Sequence, residues 1–245
     1  LERIAREAEE RTGTLDIGYL GLDGLPDELF ELTHMRVLNL GASYQDDAGA
    51  PRDVMPPIGP NRVDGNDRRF AGLDRLTKLS AIAATLDCLS FVALLGALQV
   101  LRCSRSKVHD ISPISGLVFL QALDCSMTHV SDLSPVAELY SLKKLDCSWT
   151  PVNDLSPVAA LGLFQALSCF GTEVMDLSPV AELCSLQWLD CAATHVRDLS
   201  PLSGLRSLRL LYCYGGGVRD LSPVATVRSL QTLDCHLTLV SDLSP

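Results

Sequence analysis

Aromatic side chains are scarce, only 5% of 245 residues, and positive charge is outnumbered, with 20 lysines and arginines against 30 aspartates and glutamates. The formal net charge is therefore −10. A chain of this sign repels a phosphate backbone, and no stripe of lysine and arginine reverses it locally, so nucleic acid is not an expected partner. Long apolar runs are missing too. The longest, FVALLGALQVL from Phe91 to Leu101, falls well short of the roughly 18 to 20 residues of a membrane span, and no membrane partner is expected. LERIAREAEE at the start has neither the basic opening nor the apolar core of a signal segment. Motifs of catalysis are also lacking: there is no GxxxxGK loop, no HExxH and no converging set of cysteine and histidine ligands. His129 and His195 merely share one repeat position, and the five histidines are otherwise scattered. The expectation is a protein with no catalysis of its own, no cofactor and no metal.

Leucine, valine, alanine and isoleucine dominate a hydrophobic fraction of 47%, with 20% charged residues, a balance that excludes a disordered or fibrous chain. A chain of this length buries a substantial core without covalent staples. The nine cysteines are odd in number and spaced unlike a secreted disulfide framework. They read as free thiols in a reducing compartment, which makes the cytoplasm the expected location and a secreted effector the alternative.

Seven of them, Cys103, Cys125, Cys147, Cys169, Cys191, Cys213 and Cys235, follow one another at a constant step of 22 residues, with Cys88 and Cys184 outside the series. A period of that size marks a solenoid. The unit reads LxxLxCxxTxVxDLSPVxxLxx, opening at Leu98, Leu120, Leu142, Phe164, Leu186, Leu208 and Leu230. Its fourth and sixth positions alternate with variable ones, the period of a strand with one buried face. Ser134 fits a helix N-cap and Pro135 the first helical position, with Val136 and Leu139 turned inward, so each unit returns through one helical or 3-10 turn. One unit alone has nothing to bury its apolar side against, so the units must stack and each residue type becomes a column.

The cysteine column reads as small apolar filler, since parallel neighbours hold their Cβ atoms at strand spacing, wider than the roughly 3.8 Å a disulfide prefers. Threonine fills the ninth position at Thr128, Thr150, Thr172, Thr194 and Thr238, with Ser106 and Gly216 as exceptions, and its hydroxyl can bond backbone groups at the turn. Asp110, Asp132, Asp154, Asp176, Asp198, Asp220 and Asp242 precede LSP or ISP and are placed to cap turns.

With these columns in place the chain resembles a bacterial leucine-rich-repeat protein of the short 22-residue class that includes the internalins. Seven copies agree in phase, although the family usually has leucine where cysteine stands and asparagine where threonine stands. The resemblance implies an α/β solenoid: a right-handed leucine-rich-repeat coil with a parallel β-sheet on its concave side and short helical or 3-10 turns on its convex side. It also implies a scaffold that binds a protein or peptide through the sheet. Similar repeats occur in Roco proteins and secreted effectors, so the alternative is the recognition or spacer part of a larger bacterial signalling GTPase or effector enzyme.

Residues 1–13 carry Leu1, Ile4, Ala5 and Ala8 on one helical face and Gly13 as a stop signal, which predicts a helix closing one end of the coil. Residues 14–245 form the repeat domain, with an atypical unit from Leu15 to Met35, an irregular insertion over 41–70 and seven regular units over 98–245, the last incomplete. The stretch from Leu79 to Ala97 reads as a unit three residues short that should kink the stack, and the abrupt end at SDLSP implies a continuing natural chain. The insertion is either a partner-touching loop or a bulge.

If the fourth and sixth positions point inward, the third, fifth and seventh point out. Phe170, Trp188, Tyr212 and Tyr214 all fall in those columns across three adjacent units, with Trp149 at the rim and His236 in the seventh column of the last unit. An aromatic patch of this kind is suited to an interface. Asp124, Asp146, Asp190 and Asp234 in the fifth column make an acidic strip, and because stacked like charges are unfavourable, a basic protein or peptide is the expected partner. Oligomeric state is not legible.

Overall fold

In the computed structural model the described residues are 1–42, 44–45, 51–52 and 59–241, so Asp242, the closing LSP and most of the stretch between 43 and 58 lie outside them. The chain divides into two compact units, Leu1–Thr128 and His129–Pro245.

The first unit begins with α1 (Glu2–Glu10). It continues through β1 (Thr14–Asp16), β2 (Val37–Asn39), a hairpin of β3 (Tyr44–Gln45) and β4 (Pro51–Arg52), then β5 (Lys78–Ser80), β6 (Val100–Arg102) and β7 (Ala122–Asp124). Apart from the hairpin these strands are parallel, in the order β1-β2-β5-β6-β7. The second unit holds β8 (Lys144–Asp146), β9 (Ala166–Ser168), β10 (Trp188–Asp190), β11 (Leu210–Tyr212) and β12 (Thr232–Asp234), parallel and in chain order. Register places like on like: Leu145 on Leu167, Leu167 on Leu189, Leu189 on Leu211.

Each strand of the parallel stacks is three residues long because only the third to fifth positions are extended before the chain turns. The corner is a left-handed residue at the eighth position, at Ala83, Arg105 and Met127 in the first unit and at Trp149, Gly171, Ala193, Gly215 and Leu237 in the second. The non-glycine residues sit at φ 51–57°, a conformation that costs L-residues roughly 1–2 kcal/mol each. The ninth residue offsets part of that cost. Thr150, Thr172 and Thr194 each donate through Oγ1 to the carbonyl of the cysteine three residues back, at 2.5–2.6 Å, and Ser106 does the same to Cys103.

The outer turns are 3-10 helices, three residues long from Ser112–Ile114 to Ser178–Val180. Serine is not their cap. Ser134 is the first residue of its turn, and the capping group is Asp132, which accepts from the Ser134 amide at 2.7 Å and from its hydroxyl at 2.8 Å. Asp154 and Asp220 repeat both bonds to Ser156 and Ser222. The reason is geometric: an aspartate two residues ahead reaches both donors, whereas a serine inside the turn cannot reach its own later amides. These bonds hold the Asp154, Asp176 and Asp198 carboxyls below the usual range.

Leucine, valine and cysteine positions form the core, and Leu142, Cys147, Val152, Val158, Leu161 and Phe164 are all fully buried. Cys147 and Cys169 donate weakly to the carbonyls of Ser168 and Asp190 on the next strand, at 3.4 Å. Burial pushes the Cys169 and Cys213 thiols up to about 12, and drives Cys147 and Cys191 well above the ordinary value.

Three features of the first unit depart from expectation. The helix ends two residues before Gly13, at Arg11 (φ 49°), whose amide donates to the Glu7 carbonyl. Leu1 is 75% exposed, while Glu7 is buried and accepts from the Gly13 amide, Thr12 Oγ1 and His34 Nε2. Burial opposes the charged form of Glu7, but those donors outweigh it and hold its carboxyl below the usual range. Second, no unit is short at Leu79. Leu79 pairs with Leu101 in register, so it occupies the fourth position and its unit opens at Leu76, a full 22 residues before Leu98. Third, the last part of the 41–70 stretch is built into the coil. Asn61 is fully buried and uses its whole amide, accepting from the Leu20 and Leu22 amides and donating to the carbonyls of Ile17 and Leu40. Phe70 stacks on Phe91 at 4.1 Å between ring centroids.

Two outcomes follow from this packing. Asn61→Ala removes the side-chain partner of two half-buried amides and two buried carbonyls, and chemical denaturation should show a loss of about 2–3 kcal/mol. In the native protein a thiol reagent such as DTNB at pH 8 should label exposed Cys184 fastest and half-buried Cys88 and Cys235 more slowly. The six buried thiols should stay silent until denaturant is added; rapid labelling of Cys147 would place that column in water.

Candidate partner-binding face

On the second unit the outward positions are not equally outward. At the third position Lys144 and Thr232 are exposed and Ala166, Trp188 and Leu210 are half-buried. At the seventh, Ser148 and Ala192 are buried, Phe170 and Tyr214 half-buried and His236 exposed. Small seventh residues are covered by the coil edge, and only large ones emerge.

Those large ones form a row. Trp149 meets Phe170 edge-on, with centroids 4.9 Å apart and planes at 89°. Phe170 lies 5.9 Å from Tyr214, which passes over the small Ala192 between their coils, and Tyr214 stacks on His236 at 4.4 Å and 14°. Offset and edge-on ring pairs of this kind add roughly 0.5–1.5 kcal/mol beyond burial. Trp149 is 55% exposed and occupies the strained corner position of its coil. Its indole lies across Gly171, where a Cβ would fall 2.8 Å from Trp149 Cε3. The glycine therefore serves both the left-handed corner (φ 66°) and the close approach of the ring.

Beside the row, Trp188, Asp190, Tyr212, Tyr214, Asp234 and His236 line an open hollow of about 450 Å³. In register, Tyr212 stands between Asp190 and Asp234. Along the fifth column of the second unit, Ser168 separates Asp146 from Asp190, and Tyr212 separates Asp190 from Asp234. Neutral spacers lower the repulsion that direct stacking would impose. Some remains. Burial first, then the charges of Asp146 and Asp234, raise the Asp190 carboxyl above its ordinary value, although the Ala192 amide opposes the rise. Asp234 is lowered by its hydrogen bond with His236 at 2.5 Å. Tyr214 is raised by burial and by the charges of Asp190 and Asp234.

Asp124 belongs to the first unit and is arranged differently. Ser126 donates to its Oδ1 from both amide and hydroxyl, and Ser104 donates to Oδ2. Among the described residues no group of three or more histidine, cysteine or acidic side chains is placed to hold a metal ion, and no helix is long and apolar enough to cross a membrane.

Short parallel strands repeated every 22 residues, a buried leucine at the fourth position and a 3-10 return define a leucine-rich-repeat solenoid, and its fold is similar to that of internalins. No family model matches the chain, and no curated protein does. Among solved structures it is similar to internalin InlF from Listeria monocytogenes, with a TM-score of 0.82 and 24% identity over 97% of this chain and 64% of that one. It is similar also to the functional domain of InlJ from the same organism, described as including a cysteine ladder, at TM-score 0.64 and 18% identity over 95% of this chain and 55% of that one. A third likeness is to the plant peptide hormone receptor RGFR1 in complex with RGF2, at TM-score 0.68 and 15% identity over 91% of this chain and 34% of that one. The chain thus spans less than two thirds of each of these structures, and the likenesses speak to fold.

Gly171→Ala should push the Trp149 indole off its seat and strain the corner. Tryptophan emission should shift to the red, with a loss of about 1–2 kcal/mol in stability; an unchanged spectrum would show that the ring does not rest there.

Proposed function

We propose that the chain is a binding module that recognises a protein or peptide partner through the strand face of its second unit, without chemistry of its own. The observation that carries this reading is the row Trp149, Phe170, Tyr214 and His236 beside the hollow lined by Trp188 and Tyr212. Aromatic residues are 5% of the chain, yet six of its rings, counting the imidazole, gather on one face of one unit. Partly exposed tryptophan and tyrosine are the side chains enriched at interface centres, where single residues contribute roughly 2 kcal/mol or more. The similar plant receptor, solved with a peptide hormone, lends the reading support at the level of fold.

The reading is tested by capture from extract with the immobilised chain, followed by mass spectrometry. Trp188→Ala with Tyr212→Ala should abolish retention of the bound species while leaving the thermal melt nearly unchanged. Met175→Ala, at a 68% exposed outer position, should retain it. Equal capture by the double variant overturns the proposal.

A further inference from the structure

The fifth-position carboxylates differ in what is left over once their local bonds are made. On Asp124 both oxygens are occupied, because Ser126 and Ser104 stand at the seventh positions of its own and the preceding coil. On Asp190 only Oδ1 is engaged, by the Ala192 amide at 3.1 Å; the preceding coil's seventh residue, which at Asp124 is the serine that reaches Oδ2, is here Phe170 and offers no hydroxyl. On Asp234, Oδ1 accepts from the His236 amide at 3.2 Å and faces His236 Nδ1. Among the described residues Oδ2 of Asp190 and Oδ2 of Asp234 make no hydrogen bond. These two half-used carboxylates line the same hollow, on either side of Tyr212, with Trp188 and Tyr214 completing it.

We propose that this hollow takes the guanidinium of an arginine side chain on the partner, a proposal that rests on the binding reading above and gives its chemistry. The site is anionic and walled by aromatic rings, which suits a cation with a flat face. Guanidinium is planar and weakly hydrated, stacks on tyrosine and tryptophan, and presents N–H donors in several directions at once, so one group can address two separated acceptors. An ammonium is a compact, strongly hydrated point charge and uses the ring faces less well. The charge complementarity is specific to this hollow: Asp190 carries residual repulsion from Asp146 and Asp234 that an incoming cation relieves. Carboxylates whose lone pairs are already consumed by serine, as on Asp124, have less to offer a ligand.

The test uses random 12-residue peptides displayed on phage and panned against the intact chain, with enriched peptides then titrated by fluorescence polarisation. The enriched set should carry an arginine whose replacement by citrulline, the neutral planar isostere, weakens binding about 10- to 100-fold. Replacement by lysine should weaken it severalfold. Asp190→Asn with Asp234→Asn keeps the Oδ1 acceptors of the turn, and should remove most of the difference between arginine and citrulline while leaving the thermal melt unchanged. Peptides that need Trp188 and Tyr212 yet bind equally with citrulline, or equally with lysine, overturn the guanidinium assignment and leave the binding face standing. Peptides indifferent to Trp188→Ala with Tyr212→Ala, or a library that yields no binder, count against the face itself and the assignment falls with it.

Discussion

Everything in this molecule depends on the burial of one coil's leucines against those of the next. A three-residue strand and a 3-10 turn have no stability alone, and the apolar side of a single unit has no partner within itself. Stacking removes Leu145, Leu167, Leu189 and Leu211 from water together, in register, and the 22-residue repeat keeps that register from coil to coil. Polar groups are then accommodated around it. Threonine at the corner bonds a cysteine carbonyl, and aspartate before the outer turn bonds the amide and hydroxyl of serine, so the backbone groups of the turns are satisfied without disturbing the core. The cysteines fit the same logic, as small apolar side chains with a weak donor aimed at the neighbouring strand.

Regular packing has a functional consequence. Because the inner columns are nearly invariant, variation is confined to positions whose side chains leave the strand face, and a small change there alters the surface without altering the coil. Phenylalanine in place of serine at position 170 leaves Asp190 with an unoccupied oxygen, and the small Ala192 leaves room for Tyr214 to reach toward Phe170. Glycine at 171 admits the indole of Trp149. The second unit builds a cluster of rings from residues that are individually unremarkable in spacing.

Much of this was legible in the amino-acid order, and the limits have a common cause. The strand, leucine, cysteine and aspartate–serine–proline positions recur seven times along the amino-acid order, so each position is confirmed by its copies. Ser134 was misplaced as a cap because serine at such a site is also compatible with the first residue of a turn, and only the path of the backbone shows that Asp132 reaches the donors first. Asn61 gave no signal at all. It lies in a stretch without period, and its four partners, Ile17, Leu20, Leu22 and Leu40, are 21 to 44 residues away. Glu7 was equally silent, since a buried carboxylate depends on Thr12, Gly13 and His34 being delivered by other segments.

The amino-acid order by itself determined the period, the solenoid and which side of each strand faces the interior, because alternation and a constant repeat are properties of the chain read along its length. Only the tertiary structure decided which outward side chains remain free to meet a ligand. That property is settled crosswise, by whatever the adjacent coil places alongside: a serine that consumes a carboxylate oxygen, as Ser104 does at Asp124, or a phenylalanine that leaves one unspent, as Phe170 does at Asp190.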